Sequence, residues 1–207
     1  MYNLSEVKKQ SSKSLFNVVS LFAGGGGSST GYRLAGGKIL AINEFIEEAQ
    51  RVYEINYPET QIFRNDIRDL RCKYILKKLK LKVGELDILD GSPPCSSFST
   101  AGKREKGWGE VKKYSDKKQR TDDLFFEFAR ILKGLQPKVF IAENVKGLTT
   151  GAAASLLGSE QEQLFGGHKD TIFHTLKNCG YQVRFEVLNS KHYGVPQGRQ
   201  RTIFIGV

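Results

Sequence analysis

Short apolar runs, separated by polar and helix-forming stretches, follow one another along the whole chain. The runs at 17–21, 38–43 and 86–89 are four to six residues long and are bounded by turn residues, so each predicts a β-strand. Residues 45–57 repeat apolar side chains at helical spacing, and Pro58 ends that pattern. The first half of the chain therefore predicts strands that alternate with helices.

The second half continues this alternation. Helices are predicted over 122–135 and 170–179, and strands over 137–144, 181–189 and 201–207. Strands and helices in strict alternation indicate an α/β fold with a doubly wound, mostly parallel sheet. In such folds, ligands bind at the carboxyl ends of the strands.

Composition limits the domain organisation and the location. Residues 1–16 predict a polar tail, and 17–207 predict one domain, because 207 residues with 39% hydrophobic side chains suffice for a single core. No apolar run reaches the roughly 18–20 residues of a membrane span, and the N-terminus lacks the apolar segment of a secretory signal. The three cysteines are too few and too scattered for a disulfide framework or a zinc site. We therefore expect a cytoplasmic protein with no membrane partner and no metal.

The charge of the chain is positive and unevenly spread. The net charge is +10, and residues 103–120 hold eight Lys/Arg against three acids, which leaves a net +5 in that stretch. A basic segment of this kind suits a polyanionic partner. A second basic stretch, 71–82, has apolar residues on one side of a predicted helix, and we interpret its lysines as a solvated face.

A glycine-rich stretch, FAGGGGSSTG at 22–31, follows the first predicted strand. Small residues at this place let a nucleotide-type cofactor approach the backbone, and the next helix directs its N–H groups at the ligand. Glu44 ends the second strand, where a carboxylate can bind both ribose hydroxyls. The pattern fits NAD, FAD or S-adenosylmethionine, and a glycine-rich turn without a ligand stays open.

Three further motifs carry candidate chemistry. In GSPPCSSFS, Cys95 is either a nucleophile, which must act as a thiolate, or a small buried residue. In AENV, Glu143 could donate a proton to a ring nitrogen or simply cap a helix. In QGRQR, one of Arg199 and Arg201 could enter a site while the other braces it or binds a phosphate; two surface arginines are the alternative.

The motifs FAGGGG, NE, NDI, PPCSSFS, ENV and QGRQR occur in this order along the chain. Their order and spacing resemble the catalytic region of the DNA (cytosine-5) methyltransferases over residues 18–207. The resemblance implies a Rossmann-like, S-adenosylmethionine-dependent methyltransferase fold. Residues 17–207 would then form an incomplete catalytic domain.

The resemblance implies a site for S-adenosylmethionine, which is released as S-adenosylhomocysteine. By similarity, Glu44 would bind the ribose, Phe45 and Ile67 would pack against the adenine, and Asp66 would accept a hydrogen bond from the adenine amino group. The implied cofactor-binding residues are Phe22, Gly24, Gly26, Gly27, Glu44, Phe45, Asp66, Ile67 and Leu124.

The same resemblance implies that Cys95 attacks C6 of a cytosine, so that C5 can accept the methyl group. Glu143 would hydrogen-bond N3 and the exocyclic amine, and Arg201, together with Arg199, would hold O2 of the base and the region around Cys95. The cytosine of double-stranded DNA would have to be flipped out, and the basic stretch would close over it as a loop. The implied DNA-binding residues of that loop are Ser97, Lys103, Arg104, Lys106, Trp108, Lys112 and Lys113.

Members of the family continue with a DNA-reading region and a final motif, whereas this chain stops at Val207. We therefore expect a fragment of a longer enzyme, or one subunit of a split enzyme whose second chain supplies target recognition, with weak or no methylation by the chain alone. The implied setting is a bacterial restriction–modification system, in the cytoplasm or at the nucleoid. The alternatives are a tRNA cytosine-5 methyltransferase and a cofactor- or DNA-binding subunit that is inactive alone. An NAD-dependent dehydrogenase would leave Cys95 and Glu143 without a role.

Overall fold

The computed structural model describes residues 2–94, 112–114, 117–119, 124–145 and 172–207, with 112–114 and 117–119 described by their backbone. None of the helices in these residues has the length and apolar character that crossing a membrane requires. The predictions for Cys95, Ser97, Lys103, Arg104, Lys106 and Trp108 lie outside the described residues.

The described residues form nine strands and six α-helices. The strands are β1 (Asn17–Leu21), β2 (Lys38–Asn43), β3 (Gln61–Phe63), β4 (Ile88–Gly91), β5 (Lys112–Tyr114), β6 (Lys117–Gln119), β7 (Val139–Val145), β8 (Val183–Asn189) and β9 (Gln200–Gly206). The helices are α1 (Leu4–Ser11), α2 (Gly27–Leu34), α3 (Glu47–Asn56), α4 (Cys72–Leu79), α5 (Leu124–Leu135) and α6 (Ile172–Lys177). Short 3-10 turns lie at Ile67–Asp69 and Ser190–Tyr193.

Seven strands form one sheet in the order β3-β2-β1-β4-β7-β9-β8. Strands β1, β2, β3, β4 and β7 are parallel, and β9 is antiparallel to both of its neighbours. This confirms the predicted doubly wound, mostly parallel α/β sheet. The winding changes direction between β1 and β4, and a crevice for a ligand is expected outside the carboxyl ends of those two strands. Strands β5 and β6 pair separately as an antiparallel hairpin within the basic stretch, which the sequence did not predict.

Helix α5 supplies the core on one face of the sheet. Its residues Leu124, Phe128, Ile131 and Leu135 are each at most 1% exposed, which confirms the predicted apolar spacing. The ring of Phe128 packs edge-on against Phe140 of β7, with centroids 6.1 Å apart. A side chain on the last residue of β4 would not fit here, because a Cβ at Gly91 would lie 2.7 Å from the Phe128 ring.

The opposite face is covered in part by the N-terminal segment, for which the sequence predicted a polar tail at 1–16. The structure places helix α1 there instead, with the Asn3 side chain accepting a hydrogen bond from the Glu6 N–H at 3.0 Å as its N-cap. Val7 is 1% exposed and belongs to a cluster that includes Tyr53 of α3. Helix α1 carries only this one buried residue, so its apolar pattern was too weak to predict it.

Candidate active site

The carboxyl ends of β1, β2 and β4 and the turn after β3 surround a cavity of about 160 Å³. Its lining residues come from four separate chain segments: Phe22, Asn43, Glu44, Phe45, Ile46, Ile67, Ser92 and Pro94. The cavity thus lies at the switch point that the strand order defines. A larger cavity of about 480 Å³ is lined by β8 and β9 residues such as Arg184 and Ile205 and by none of the predicted site residues.

Glu44 organises the edge of this cavity. Its carboxylate is buried and accepts hydrogen bonds from three backbone N–H groups, those of Gly24 at 2.7 Å, Phe45 at 2.8 Å and Ile46 at 2.7 Å. These bonds tie the glycine turn after β1 to the end of β2. They also keep Phe45 and Ile46 outside helix α3, which begins at Glu47, two residues later than the sequence pattern predicted. The structure therefore brings the predicted residues Gly24, Glu44 and Phe45 together.

The glycine turn has a backbone that favours glycine and leaves room above it. Gly24 and Gly26 have φ of +55° and +94°, and a Cβ at Gly26 would lie 2.9 Å from the Tyr53 ring. In contrast, a Cβ at Gly24 or Gly27 would meet nothing within 4 Å, so open space lies against those two positions. Phe22 also has a positive φ, +55°, and this strained conformation accompanies a side chain that lines the cavity.

Of the remaining predicted cofactor residues, Ile67 lines the cavity, whereas Asp66 and Leu124 do not. Ile67 lines the cavity and is 2% exposed. The Asp66 carboxylate caps the 3-10 turn, accepting from the Arg68 N–H at 3.0 Å, and it also pairs with the Arg68 guanidinium at 3.0 Å. Leu124 is fully buried in the core at the start of α5. Neither Asp66 nor Leu124 is among the residues that line the cavity.

Two residues outside the predicted set of site residues, Asn43 and Arg130, hold the cavity walls in place. The buried Asn43 amide donates to the carbonyls of Phe63 and Asn65, both at 2.9 Å, and so joins the ends of β2 and β3. The Arg130 guanidinium, on α5, donates to the carbonyl of Ile67 at 2.7 Å. A polar residue at the end of an apolar strand could have flagged Asn43, but nothing in the sequence marks Arg130 among the many basic residues.

A second group of predicted residues meets next to this cavity, on β7 and β9. Asn144 is buried, and its amide donates to the carbonyl of Pro93 at 3.3 Å. It therefore fixes the proline segment that leads from β4 to Cys95. The preceding residue, Glu143, accepts from the Arg201 Nε at 2.8 Å across the antiparallel β7–β9 pair. Both side chains of this ion pair are partly exposed, at 29% and 24%.

The two arginines of the QGRQR motif have different environments. Arg201 lies on β9 and pairs with Glu143, whereas Arg199 precedes the strand and has an exposed side chain. The structure thus brings Arg201, but not Arg199, into contact with the predicted site. Lys112 and Lys113 lie on β5 of the separate hairpin.

Comparison with known proteins agrees with this arrangement. The model of the family described as C-5 cytosine-specific DNA methylase matches residues 16–207. The Type II methyltransferase M.DdeI of Desulfomicrobium norvegicum is 36% identical over 192 residues, which cover 92% of this chain and 40% of M.DdeI. The Type II methyltransferase M.AquIA of Picosynechococcus sp. is 32% identical over 193 residues, covering 91% of this chain and 71% of M.AquIA.

The fold also matches a solved structure. The crystal structure of a protein described as a prophage-encoded DNA modification methyltransferase from E. coli superimposes with a TM-score of 0.68 at 27% identity. The match covers 93% of this chain and 46% of the E. coli protein. This likeness confirms the Rossmann-like fold that the motif order predicted, and the chain spans less than half the length of both M.DdeI and the E. coli protein.

Proposed function

Because the chain belongs to the C-5 cytosine-specific DNA methylase family, we propose that it supplies the catalytic part of an S-adenosylmethionine-dependent DNA (cytosine-5) methyltransferase. Its relatives named Type II methyltransferases support a role in a bacterial restriction–modification system and hence in the cytoplasm. The substrate is double-stranded DNA with the target cytosine flipped out. Since the chain covers only 40% of M.DdeI, we propose that the residues that read the DNA sequence belong to further polypeptide.

The lining of the cavity at the strand ends suits the adenine end of S-adenosylmethionine, which would supply an electrophilic methyl group when bound. Phe22, Phe45 and Ile67 offer apolar surface for the adenine, and the open space at Gly24 admits the rest of the cofactor. A carboxylate has about four acceptor sites, and three of those on Glu44 are taken by backbone N–H groups. Glu44 in this arrangement therefore has one acceptor site left and accepts from a single ribose hydroxyl. The sequence pattern had predicted bonds to both hydroxyls.

In the proposed reaction, the Cys95 thiolate adds to C6 of the cytosine and the C5–C6 double bond opens. Glu143 donates a hydrogen bond to N3, which stabilises the negative charge that reaches the ring. C5 would then take the methyl group as the bond between that group and the sulfonium sulfur breaks, and S-adenosylhomocysteine would be the leaving group. Transfer of the C5 proton to a base then restores the double bond and expels the Cys95 thiolate. The observation that supports this assignment is the bond from Asn144 to Pro93, because it holds Glu143 beside the segment that leads to Cys95.

The ion pair between Glu143 and Arg201 has a consequence for this reaction. A Glu143 that donates to N3 must carry a proton, and a protonated carboxyl no longer needs the guanidinium as its partner. We propose that the 2.8 Å pair is the resting arrangement and that Arg201 turns to O2 of the base when cytosine enters. Arg201 would thereby exchange one charge-assisted hydrogen bond for another.

Covalent trapping tests the proposed function directly. Fluorine at C5 cannot leave as a cation, so random-sequence duplex DNA that contains 5-fluorocytosine should remain attached to the protein when S-adenosylmethionine is present. The adduct should vanish in Cys95→Ala and persist in Cys72→Ala, a matched control because burial raises the pKa of the Cys72 thiol. An adduct that survives Cys95→Ala, or one that forms on fluorinated RNA but not on DNA, would refute the assignment. Calorimetry with S-adenosylhomocysteine and NAD then separates the methyltransferase from the dehydrogenase alternative.

A further inference from the structure

Asp90, the residue before the last of β4, is a buried carboxylate that the proposed reaction does not use. It is 4% exposed and lies opposite Ser20 in the β1–β4 register. The Ser20 hydroxyl donates to its Oδ2 at 2.6 Å, and the Tyr32 hydroxyl on α2 donates to its Oδ1 at 3.1 Å. The apolar run at 86–89 predicted a strand that ends before Asp90, and no motif gave Asp90 a role.

The two hydrogen bonds connect the chain segments that build the cavity. Ser20 precedes the cavity residue Phe22 by two positions, and Tyr32 belongs to the helix that the glycine turn leads into. Asp90 itself precedes the cavity residue Ser92 by two positions. One carboxylate therefore joins β1, the helix after the glycine turn and the strand that leads to Cys95.

Asp90 carries its charge without a cationic partner among the described ion pairs. The titratable groups that face it in the described residues are Tyr32 on α2 and Glu143 on β7, and Glu143 is itself paired with Arg201 on β9; β1 presents the uncharged Ser20. Burial is the largest cause that raises the pKa of Asp90, to about 6, and the charge of Glu143 adds to the rise. At pH 8 the group is therefore mostly ionised.

The raised pKa of Asp90 makes the folded state less stable at high pH than at low pH. The unfolded chain binds this proton with a pKa of about 3.9, so between pH 4 and 6 the folded state holds more of it. The free energy of unfolding then decreases as pH rises through that window. A carboxylate at position 90 destabilises the fold at pH 8 relative to a neutral group of the same shape.

Resting on the proposed function, we propose that Asp90 is a positioning residue for methyl transfer, whose buried carboxylate holds α2 and the glycine turn against β4. An ionised carboxylate accepts from both hydroxyls at once with charge-assisted bonds. Ser20 and Tyr32 donate to different oxygens, and an asparagine amide has an NH2 donor in place of one of them, so it cannot accept at both positions, which leaves the orientation of α2 less well defined. The charge on Asp90 thus lowers the stability of the fold, but it fixes the position of α2 against β4.

The test is Asp90→Asn, with thermal melting at pH 5 and pH 8 and calorimetric titration with S-adenosylhomocysteine at pH 8. The variant should melt about 5 °C above the wild type at pH 8, since about 1 kcal/mol shifts a chain of this size by roughly 2–4 °C, and the gain should disappear at pH 5. Its affinity for S-adenosylhomocysteine at pH 8 should fall about tenfold. A residue with a merely structural role would lower the melting temperature instead.

Asp87→Asn is the matched control, because Asp87 precedes the same strand and the hydrogen bond from Lys138 holds the pKa of its carboxyl below the ordinary value. That variant should melt lower than the wild type at pH 8 and bind S-adenosylhomocysteine normally. Wild-type affinity in Asp90→Asn, or a lower melting temperature at pH 8, would overturn the proposal. If the wild type itself fails to bind S-adenosylhomocysteine, the proposed function fails, and this inference fails with it.

Discussion

At the scale of single residues, Gly26 of the glycine turn is a position where backbone conformation and packing both disfavour a side chain. Its φ is +94°, and a Cβ would lie 2.9 Å from the Tyr53 ring. We expect Gly26→Ala to lower the free energy of unfolding by about 2 kcal/mol, since an L-residue in the left-handed region loses roughly 1–2 kcal/mol before the contact with Tyr53 is counted. Binding of S-adenosylhomocysteine should weaken as well. Chemical denaturation and calorimetry measure the two effects.

The control for this substitution lies five residues further along the same segment. A Cβ at Gly31 meets nothing within 4 Å, and Gly31 is inside helix α2. Gly31→Ala should therefore stabilise the protein by about 0.5–1 kcal/mol, because alanine loses less conformational entropy in a helix. If both variants shift stability in the same direction, the conformational argument for the turn is wrong.

At Glu143, unlike at Gly26, we expect a substitution to affect the reaction but hardly the stability. A partly exposed ion pair contributes little, so Glu143→Gln should change the free energy of unfolding by less than about 1 kcal/mol. Formation of the covalent adduct should nevertheless slow by roughly 10²-fold, because a positioned proton donor is lost. Glu186→Gln, on the exposed part of β8, serves as the control and should leave the rate unchanged. Equal rates in the two variants would remove Glu143 from the reaction.

At the scale of elements, the sequence predicted those whose burial follows a single period. Helix α5 has its apolar residues at the predicted positions, and β2 spans Lys38–Asn43 as its apolar run indicated. Strand β4 was predicted over 86–89 but spans Ile88–Gly91. An Asp–Gly pair is usually a turn, and only tertiary contacts keep it in a strand here: Asp90 is satisfied by two hydroxyls, and Gly91 leaves room for Phe128.

Helix α1 gives a prediction at this scale, because it was expected to be a tail. Val7 is 1% exposed, so Val7→Ala should reduce the free energy of unfolding by about 2 kcal/mol through lost burial and the cavity it leaves. Leu4, on the same helix, is 40% exposed, and Leu4→Ala should have a clearly smaller effect. Equal and negligible effects, measured by denaturant titration, would mean that the segment does not pack on the domain in solution.

At the scale of the whole molecule, the sequence predicted which residue types belong to the site. It did not predict which partners those side chains have in the folded chain. The sequence indicated Glu44, Glu143 and Arg201, because acids and arginines at strand ends have few structural uses. It could not indicate that three backbone N–H groups occupy the Glu44 carboxylate, or that Arg201 rather than Arg199 reaches Glu143. Those facts depend on the turn after β1 and on the β7–β9 register, which no local pattern encodes.

The charge distribution of the molecule leads to a prediction about DNA binding. Two basic stretches, 103–120 and 71–82, were interpreted differently, the first as a DNA-binding loop and the second as a solvated face. Each lysine that neutralises a phosphate contributes about 0.9 to the slope of log affinity against log salt concentration. Replacing Lys112 and Lys113 by glutamine should therefore reduce the slope by about 2 and weaken binding to duplex DNA at low salt.

The matched variant replaces Lys77 and Lys78 of helix α4, which are exposed in the structure, and removes the same total charge. If only net charge attracts the DNA, the two variants will have equal slopes, because long-range attraction does not depend on which lysines are lost. If residues 103–120 contact phosphates, only the first variant will show the reduced slope. Fluorescence anisotropy with a labelled duplex between 50 and 200 mM salt, a range over which several phosphate contacts change affinity by orders of magnitude, distinguishes the two outcomes.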